Sequence, residues 1–188
     1  MKRALIFAAL LALAACKDEA LQDVSPVALD ERAVGHFCQM ELLEHEGPKA
    51  QVHLGGLPGA PLFFSQTRDA VAYARMPEQS HEILAIWVND MGAPGATWTE
   101  PGAENWIEAS AAHYVVGARV TGGMGAPEIV PFADHAAADA FARANGGAIL
   151  SLDEIPDEVV LTPVALDGDA DDGDFEERLR ALSRKAGD

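Results

Sequence analysis

The sequence predicts an α+β fold of two tandem ββαβ units packed together, after a lipoprotein signal peptide. Three observations support this prediction. The chain has 188 residues, 49% of them hydrophobic, which suits one domain or two very small ones. Its apolar runs are short and are separated by glycine and proline turns, as expected for the strands of small sheets. The order of these runs repeats once along the chain.

Residues 1–15 have the pattern of a signal peptide for export. Two basic residues precede an apolar run over positions 4–14, which is shorter than the ~20 residues that a membrane-spanning helix needs. The run ends in Leu-Ala-Ala-Cys, which resembles a bacterial lipobox, so Cys16 is predicted to carry lipid. We therefore expect a protein that is exported, lipid-anchored to a bacterial envelope membrane and facing the periplasm. An ordinary secretory signal that ends at a cysteine is the alternative.

Changes in composition divide the rest of the chain into five segments. In order, these are a lipidated tether (16–33), a first ββαβ unit (34–90), a glycine- and proline-rich linker (91–104), a second ββαβ unit (105–162) and an acidic tail with a short helix (163–188). The tail contains a run of aspartates. Asp172 and Arg178 stand where a calcium-binding loop needs Gly and Glu, so we expect a solvated acidic segment there.

The first unit begins with a predicted strand over 49–54, a glycine- and proline-rich turn and a second strand over 61–64. A helix is expected over 67–75, because Thr67 is a suitable N-cap and an acidic residue follows in the first turn. The buried strand 82–88 closes the unit.

The second unit repeats this order. Strands are predicted over 113–120 and 128–132, then an alanine-rich helix over 134–144 that ends at Asn-Gly-Gly, and a last strand over 148–152. In each unit two aromatic residues bracket the helix at equal spacing, Phe64 and Tyr73 in the first and Phe132 and Phe141 in the second. The alternative is that these are two unrelated halves of one α+β domain.

Composition also excludes several functions. With 13 basic and 30 acidic side chains the formal net charge is −17, which argues against nucleic-acid binding. Two cysteines, Cys16 and Cys38, are too few for a disulfide-stapled scaffold or a four-cysteine zinc site. No nucleophile elbow, Walker A loop or zinc-protease motif is present, so the sequence does not predict an enzyme.

Cys38 and Met40 are the leading candidates for a metal site. They are two residues apart, so an extended backbone would project both sulfur atoms from one face. A thiolate beside a thioether is a soft donor pair that suits Cu(I) better than zinc, calcium or magnesium. His36 could add an imidazole donor, and His45, beyond Met40, is the next best candidate. The alternative is a buried cysteine with a methionine in the core.

Met124 is the third candidate for a sulfur ligand. It lies among three glycines, Gly122-Gly123-Met124-Gly125, without the apolar neighbours that a core methionine would have. Glycines allow the backbone to turn sharply or to approach another segment closely. The alternative is a flexible loop whose methionine covers a hydrophobic edge.

The ordered set of motifs resembles the NosL family, the lipoprotein copper chaperones of nitrous oxide reductase maturation. Besides the lipobox, the matching segments are 35–40, 44–51, 64–70, 87–92, 114–117, 122–125 and 130–132. The resemblance implies two ββαβ units and no enzymatic reaction. It implies Cu(I) held by Cys38 and Met40, with Met124 matching a methionine of the second half. Members of the family typically have Cys-Gly-Met where this chain has Gln39 between the two sulfur residues.

The same resemblance implies delivery of the copper to the catalytic copper centre of nitrous oxide reductase. The expected partners are that reductase and its membrane-bound maturation machinery, with the N-terminal lipid holding the chain at the membrane. Two alternatives stay open. One is a metal-free scaffold of the same maturation complex. The other is an enzyme similar to organomercurial lyases, which would need a second thiol to cooperate with Cys38.

Overall fold

The structure, a computed structural model that describes residues 21–164, contains two antiparallel sheets with one main helix against each. The predicted signal peptide, Cys16 and the tail beyond residue 164 lie outside the described residues. Within residues 21–164, no helix is long and apolar enough to cross a membrane.

The first sheet has four strands in the spatial order β2-β1-β3-β4. The strands are β1 (Ala50–Leu54), β2 (Leu62–Phe64), β3 (Ile83–Asn89) and β4 (Trp106–Glu108), and helix α1 (Thr67–Arg75) connects β2 to β3. Both β2 and β3 pair antiparallel with the central strand β1. Residue 50 of β1 faces Phe64 on one side and Val88 on the other.

The second sheet has three strands in the order β6-β5-β7. The strands are β5 (His113–Val116), β6 (Val130–Phe132) and β7 (Ala148–Leu150), and helix α2 (His135–Asn145) connects β6 to β7. Again the first strand lies in the centre and is antiparallel to both neighbours. Because each unit has the same chain order and the same strand order, the predicted pair of ββαβ units is confirmed.

Several strand and helix ends differ by one or two residues from those expected from the sequence, and two differences are larger. Strand β4 lies in the range 105–162, assigned to the second unit, yet it pairs with β3 and extends the first sheet. Strand β5 ends at Val116 rather than at residue 120, because the next residue, Gly117, has a φ of +77° that no regular strand contains. Residues 91–104 contain neither helix nor strand.

All five residues of β1 are buried, because both faces of the first sheet are covered. Ala50, Val52 and Leu54 alternate along the strand and pack in the core with α1. Gln51 and His53 lie on the other face, which an N-terminal arm covers. We use the name N-terminal arm for residues 21–33.

The N-terminal arm was expected to be part of a tether, but it is docked on the first sheet. The Gln51 side chain accepts the Val27 N–H at 2.8 Å and donates to the Val27 carbonyl at 3.0 Å. The Trp87 indole N–H donates to the Val24 carbonyl at 2.8 Å. The backbone groups of the arm are therefore hydrogen-bonded by side chains of the sheet and not by the backbone of a neighbouring strand.

One hydrophobic core joins the two units. Tyr114 and Ile129 of the second unit are fully buried with Val71 of α1. The chain then returns to the first unit, where the short helix α3 (Asp157–Leu161) packs on α1. Arg68 donates to the Val159 and Thr162 carbonyls at 3.0 and 2.7 Å and so holds the end of α3.

Glu128 connects the units through a buried hydrogen bond. Its Oε1 accepts the backbone N–H of Arg68 in the first turn of α1 at 2.9 Å, where helix N–H groups have no partner within the helix. Burial raises the pKa of Glu128 to about 8. Lys49 is buried as well, and burial lowers its pKa to about 8, although the charge of Glu128 acts in the opposite direction.

Replacing Glu128 by glutamine should change the pH dependence of stability. Between about pH 4.5 and pH 8 the folded chain keeps a proton on Glu128 that the unfolded chain releases, so this residue lowers the free energy of unfolding as the pH rises. Glu128→Gln keeps an acceptor for the Arg68 N–H but cannot ionise. We expect the variant to gain stability relative to the wild type as the pH rises, by at most a few kcal/mol.

The measurement is urea unfolding at several values between pH 5 and pH 8. Glu78→Gln is the matched control, because Glu78 is exposed and makes no hydrogen bond to α1. Parallel stability curves for Glu128→Gln and the wild type would show that Glu128 does not carry this pH dependence.

Candidate metal site

Cys38 lies in a closed turn at the β2 edge of the first sheet. The Gly35 N–H donates to the Met40 carbonyl at 3.0 Å, and the Gln39 N–H donates to the Gly35 carbonyl at 2.8 Å. The His36 N–H donates to the carbonyl of Phe63 in β2 at 2.6 Å, which attaches the turn to the sheet. We call residues 35–40 the cysteine turn.

The structure places Cys38 and Met40 together on this turn, but not in the extended backbone expected from their spacing. Their proximity comes from the hydrogen bonds that close the turn, and the Cys38 Sγ lies 4.0 Å from the Met40 carbonyl oxygen. The thiol is partly exposed, and the Met40 side chain is 42% exposed. The alternative of a buried cysteine with a core methionine is therefore wrong.

Gly35 and Gln39 permit the backbone conformation of the cysteine turn. A Cβ on Gly35 would overlap the Cys38 sulfur, so this position requires glycine. Gln39 has a φ of +56°, and no other non-glycine residue in the described range has a positive φ. Its side chain donates to the His36 carbonyl at 2.7 Å, which helps a glutamine to occupy a conformation that favours glycine.

The His36 ring packs against aromatic side chains. Its centroid lies 5.6 Å from that of Phe64 and 5.4 Å from that of Tyr73, both at edge-on angles. Phe37 joins the same cluster, at 5.2 Å from Phe64. These contacts fasten the cysteine turn to α1, so His36 has a packing role in addition to the ligand role predicted for it.

Met124 lies in a tight turn that docks on the first unit. We call residues 122–125 the glycine loop. The Met124 N–H donates to the side-chain oxygen of Gln66 at 2.9 Å, and Gln66 is the buried residue that precedes α1. A Cβ on Gly123 would lie 2.7 Å from the Cβ of His45. The glycines thus permit close approach between the units, while the Met124 side chain stays 39% exposed.

His45 presents a nitrogen donor beside the glycine loop. Its Nδ1 lies 3.1 Å from the Gly123 carbonyl oxygen, which can only accept, so Nδ1 carries the proton. The other nitrogen, Nε2, then carries a lone pair; it is buried and has no hydrogen-bond partner among the described residues. Histidine ligands of metals are commonly oriented by such a bond from the other ring nitrogen to a carbonyl.

The cysteine turn and the glycine loop are attached to neighbouring positions of the chain. The cysteine turn is attached to Phe63 and the glycine loop to Gln66, and three residues of chain span at most ~11 Å. In residues 21–164, no three His, Cys, Asp or Glu side chains are grouped so that they could hold a metal. The sulfur atoms that these segments carry are the thiol of Cys38 and the thioethers of Met40 and Met124, and a thiolate with thioethers is a soft donor set that suits Cu(I).

Sequence reasoning did not identify two residues that support this site. Gln66 stands directly before the predicted helix, a position where polar side chains bind backbone N–H groups, and this was the available signal. Nothing in the sequence indicates that Lys49 is buried near the site, because a lysine at the start of a strand normally points to solvent. Its Nζ instead donates to the carbonyls of residues 45, 46 and 47 at 2.6, 3.1 and 2.5 Å.

Comparison with known proteins gives a consistent result. A profile of the NosL family matches residues 26–160. The copper-binding lipoprotein NosL of Achromobacter cycloclastes is 56% identical over 185 residues, 97% of this chain and 95% of that protein. The copper-binding lipoprotein NosL of Stutzerimonas stutzeri is 33% identical over 150 residues, which are 79% of this chain and 75% of that protein. The crystal structure of the copper chaperone NosL from Shewanella denitrificans matches with a TM-score of 0.64 and 32% identity, over 69% of this chain and 94% of that chain.

Adding a methyl group to Gly123 should disturb the contact between the units. The new Cβ would lie 2.7 Å from the His45 Cβ and 2.9 Å from the Glu46 carbonyl oxygen, so one segment must move. We expect Gly123→Ala to lower the free energy of unfolding by about 1–3 kcal/mol, measured in urea. Gly125→Asn is the control within the same loop, because no atom lies within 4 Å of the new Cβ and asparagine is among the residues least strained at a φ of +78°. Equal stability of both variants would contradict a tightly packed glycine loop.

Proposed function

Because this chain belongs to the NosL family, we propose that it is a copper chaperone that binds Cu(I) through Cys38 and Met40 and delivers it for assembly of the catalytic copper centre of nitrous oxide reductase. The family resemblance predicted from the sequence is confirmed. The observation that carries the proposal is the exposed turn on which Cys38 and Met40 lie together.

The exposure of the two sulfur atoms suits a carrier better than a storage site. Copper is the cargo here, and it must pass from one protein's ligands to another's. Cys38 and Met40 lie at the surface, where a partner's ligands can reach the ion before the first ligands leave. A thiolate and a thioether prefer Cu(I) over the harder metals that oxygen ligands bind.

We propose Met124 as the third ligand. Its loop is held against the end of β2, next to the segment that carries the cysteine turn, and its side chain is exposed on the surface. The unpartnered Nε2 of His45 is the next candidate, because its lone pair has no competing hydrogen bond in the described part of the chain. His36 follows these two, since its ring is already packed among aromatic residues.

The lipid proposed at Cys16 would keep the carrier where it is needed. We propose that the chain is exported and held at a bacterial envelope membrane, facing the periplasm. Tethering raises the effective concentration of the carrier near membrane-bound maturation machinery. That machinery and nitrous oxide reductase are the proposed partners. We therefore propose binding and delivery of copper rather than a catalysed reaction. An enzyme similar to organomercurial lyases would need a second thiol, and Cys38 is the single free cysteine in residues 21–164.

Cu(I) binding to the mature chain tests the proposal. Competition with a chromophoric Cu(I) chelator, without oxygen, should show one tightly bound ion per chain. We expect Cys38→Ser, Met40→Leu and Met124→Leu each to weaken binding by at least about 10-fold, since even the loss of a group that only orients a ligand costs this much, and Cys38→Ser to weaken it most because it removes the thiolate. Met76→Leu is the matched control, since Met76 follows the last residue of α1 and should not bind copper.

Activity of nitrous oxide reductase in cells tests delivery with the same variants. A carrier requires Cys38, so Cys38→Ser should leave the reductase without its catalytic copper centre while the chain itself is still produced. A metal-free scaffold would instead mature the reductase normally with Cys38→Ser and Met40→Leu. Failure of the wild-type chain to compete with the chelator at any concentration would overturn the copper chaperone proposal.

A further inference from the structure

The N-terminal arm begins at the turn between β1 and β2. The Gln22 side chain donates to the Leu54 carbonyl at 2.9 Å and accepts the Gly56 N–H at 3.0 Å. These two bonds tie the arm to the last residue of β1 and to the turn that follows it. We call residues 55–61 the β1–β2 turn.

From that turn the arm runs along the first sheet towards the other end of β1. Val24 contacts Trp87, Val27 contacts Gln51, and the Leu29 N–H donates to the Ala103 carbonyl at 2.9 Å. These contacts fix the direction of the arm. Its first residues lie at the β1–β2 turn, and the later ones lie further from it.

The proposed lipid lies a short distance along the chain from the start of the arm. Five residues lie between Cys16 and Gln22, and the six steps from one to the other span at most ~22 Å. A domain formed by residues 21–164 has a diameter of roughly 37 Å. The attachment is therefore shorter than the domain is wide, so the side that carries Gln22 cannot face away from the bilayer.

The β1–β2 turn is well suited to contact lipid. None of its residues is charged, in a chain with 30 acidic and 13 basic side chains. Leu57 is 44% exposed, and Pro58 next to it is exposed as well. Glu82 lies against Gly55, the first residue of the turn. Acidic side chains are therefore found next to the start of the turn but not within it. An anionic membrane repels acidic surfaces but not an uncharged apolar turn.

We infer that the β1–β2 turn is the membrane-facing end of the domain, with Leu57 in contact with lipid headgroups. This inference rests on the lipid anchor at Cys16 that belongs to the proposed function. It gives the candidate metal site a fixed orientation. The cysteine turn is attached at Phe63, about three residues or ~10 Å along the sheet from the level of Leu54, and the glycine loop lies further still. Copper would be exchanged on the side away from the bilayer.

Spin labels at two matched leucines test this orientation. Leu57 and Leu43 are 44% and 47% exposed and lie at opposite ends of β1. The full lipidated chain carries Cys38→Ser with either Leu57→Cys or Leu43→Cys, and is placed in vesicles of phosphatidylethanolamine and phosphatidylglycerol that contain a headgroup-chelated paramagnetic ion. We expect the relaxation enhancement to be several-fold greater at position 57 than at position 43.

Two further variants distinguish orientation from simple attachment. A long Gly/Ser insertion after Lys17 should remove the difference between the two positions, because the domain could then turn freely. Leu57→Glu, combined with a label at the exposed position 60, should lower the enhancement there, and Leu43→Glu should not.

Vesicle flotation separates the two ways in which the inference could fail. A chain that floats with the vesicles but shows equal enhancement at positions 57 and 43 keeps its lipid anchor and overturns the orientation alone. A chain that does not float would overturn the anchor at Cys16 and this inference with it. Cu(I) binding by the same chains, with Cys38 restored, would remain a separate measurement of the proposed function.

Discussion

The close approach of the glycine loop to the first unit is the contact on which the candidate site depends. Gly123 lies where any larger residue would overlap His45, and the Met124 N–H donates to Gln66. A few residues further along, Glu128 accepts the first-turn N–H of Arg68. The start of α1 is thus completed by the second unit, and the backbone of Met124 is held at Gln66, three residues along the chain from the attachment of the cysteine turn at Phe63.

Much of the fold could be predicted from the sequence, because alternation and turn residues determine short strands locally. Both ββαβ units followed from these signals. The docked N-terminal arm and the place of β4 did not, because they depend on contacts between distant residues. Gln51 has the polarity of a solvent-facing strand position, yet it is buried and bound to Val27 in the arm. Local pattern cannot distinguish these two environments.

The candidate site was likewise predictable from the sequence only in part. Cys38 and Met40 were predicted as candidates because a thiol beside a thioether is chemically distinctive. The turn that holds them was not predicted, because Gln39 adopts a positive φ that its sequence does not signal. The glycines around Met124 indicated close approach, but only the fold identifies His45 and Gln66 as the neighbours. The type of ligand could be inferred from the residue types, whereas the residues that surround each ligand could be identified only from the tertiary structure.

Methionine methyl NMR tests most directly whether one Cu(I) is held by sulfur from both units. Cu(I) is added to the chain without oxygen while the methyl resonances are followed. We predict that Met40 and Met124 shift together and that both changes are complete at one equivalent, while Met76 and Met91 do not move. A shift of Met40 alone would contradict this, because it would confine the site to the first unit and leave the glycine loop without a role in binding.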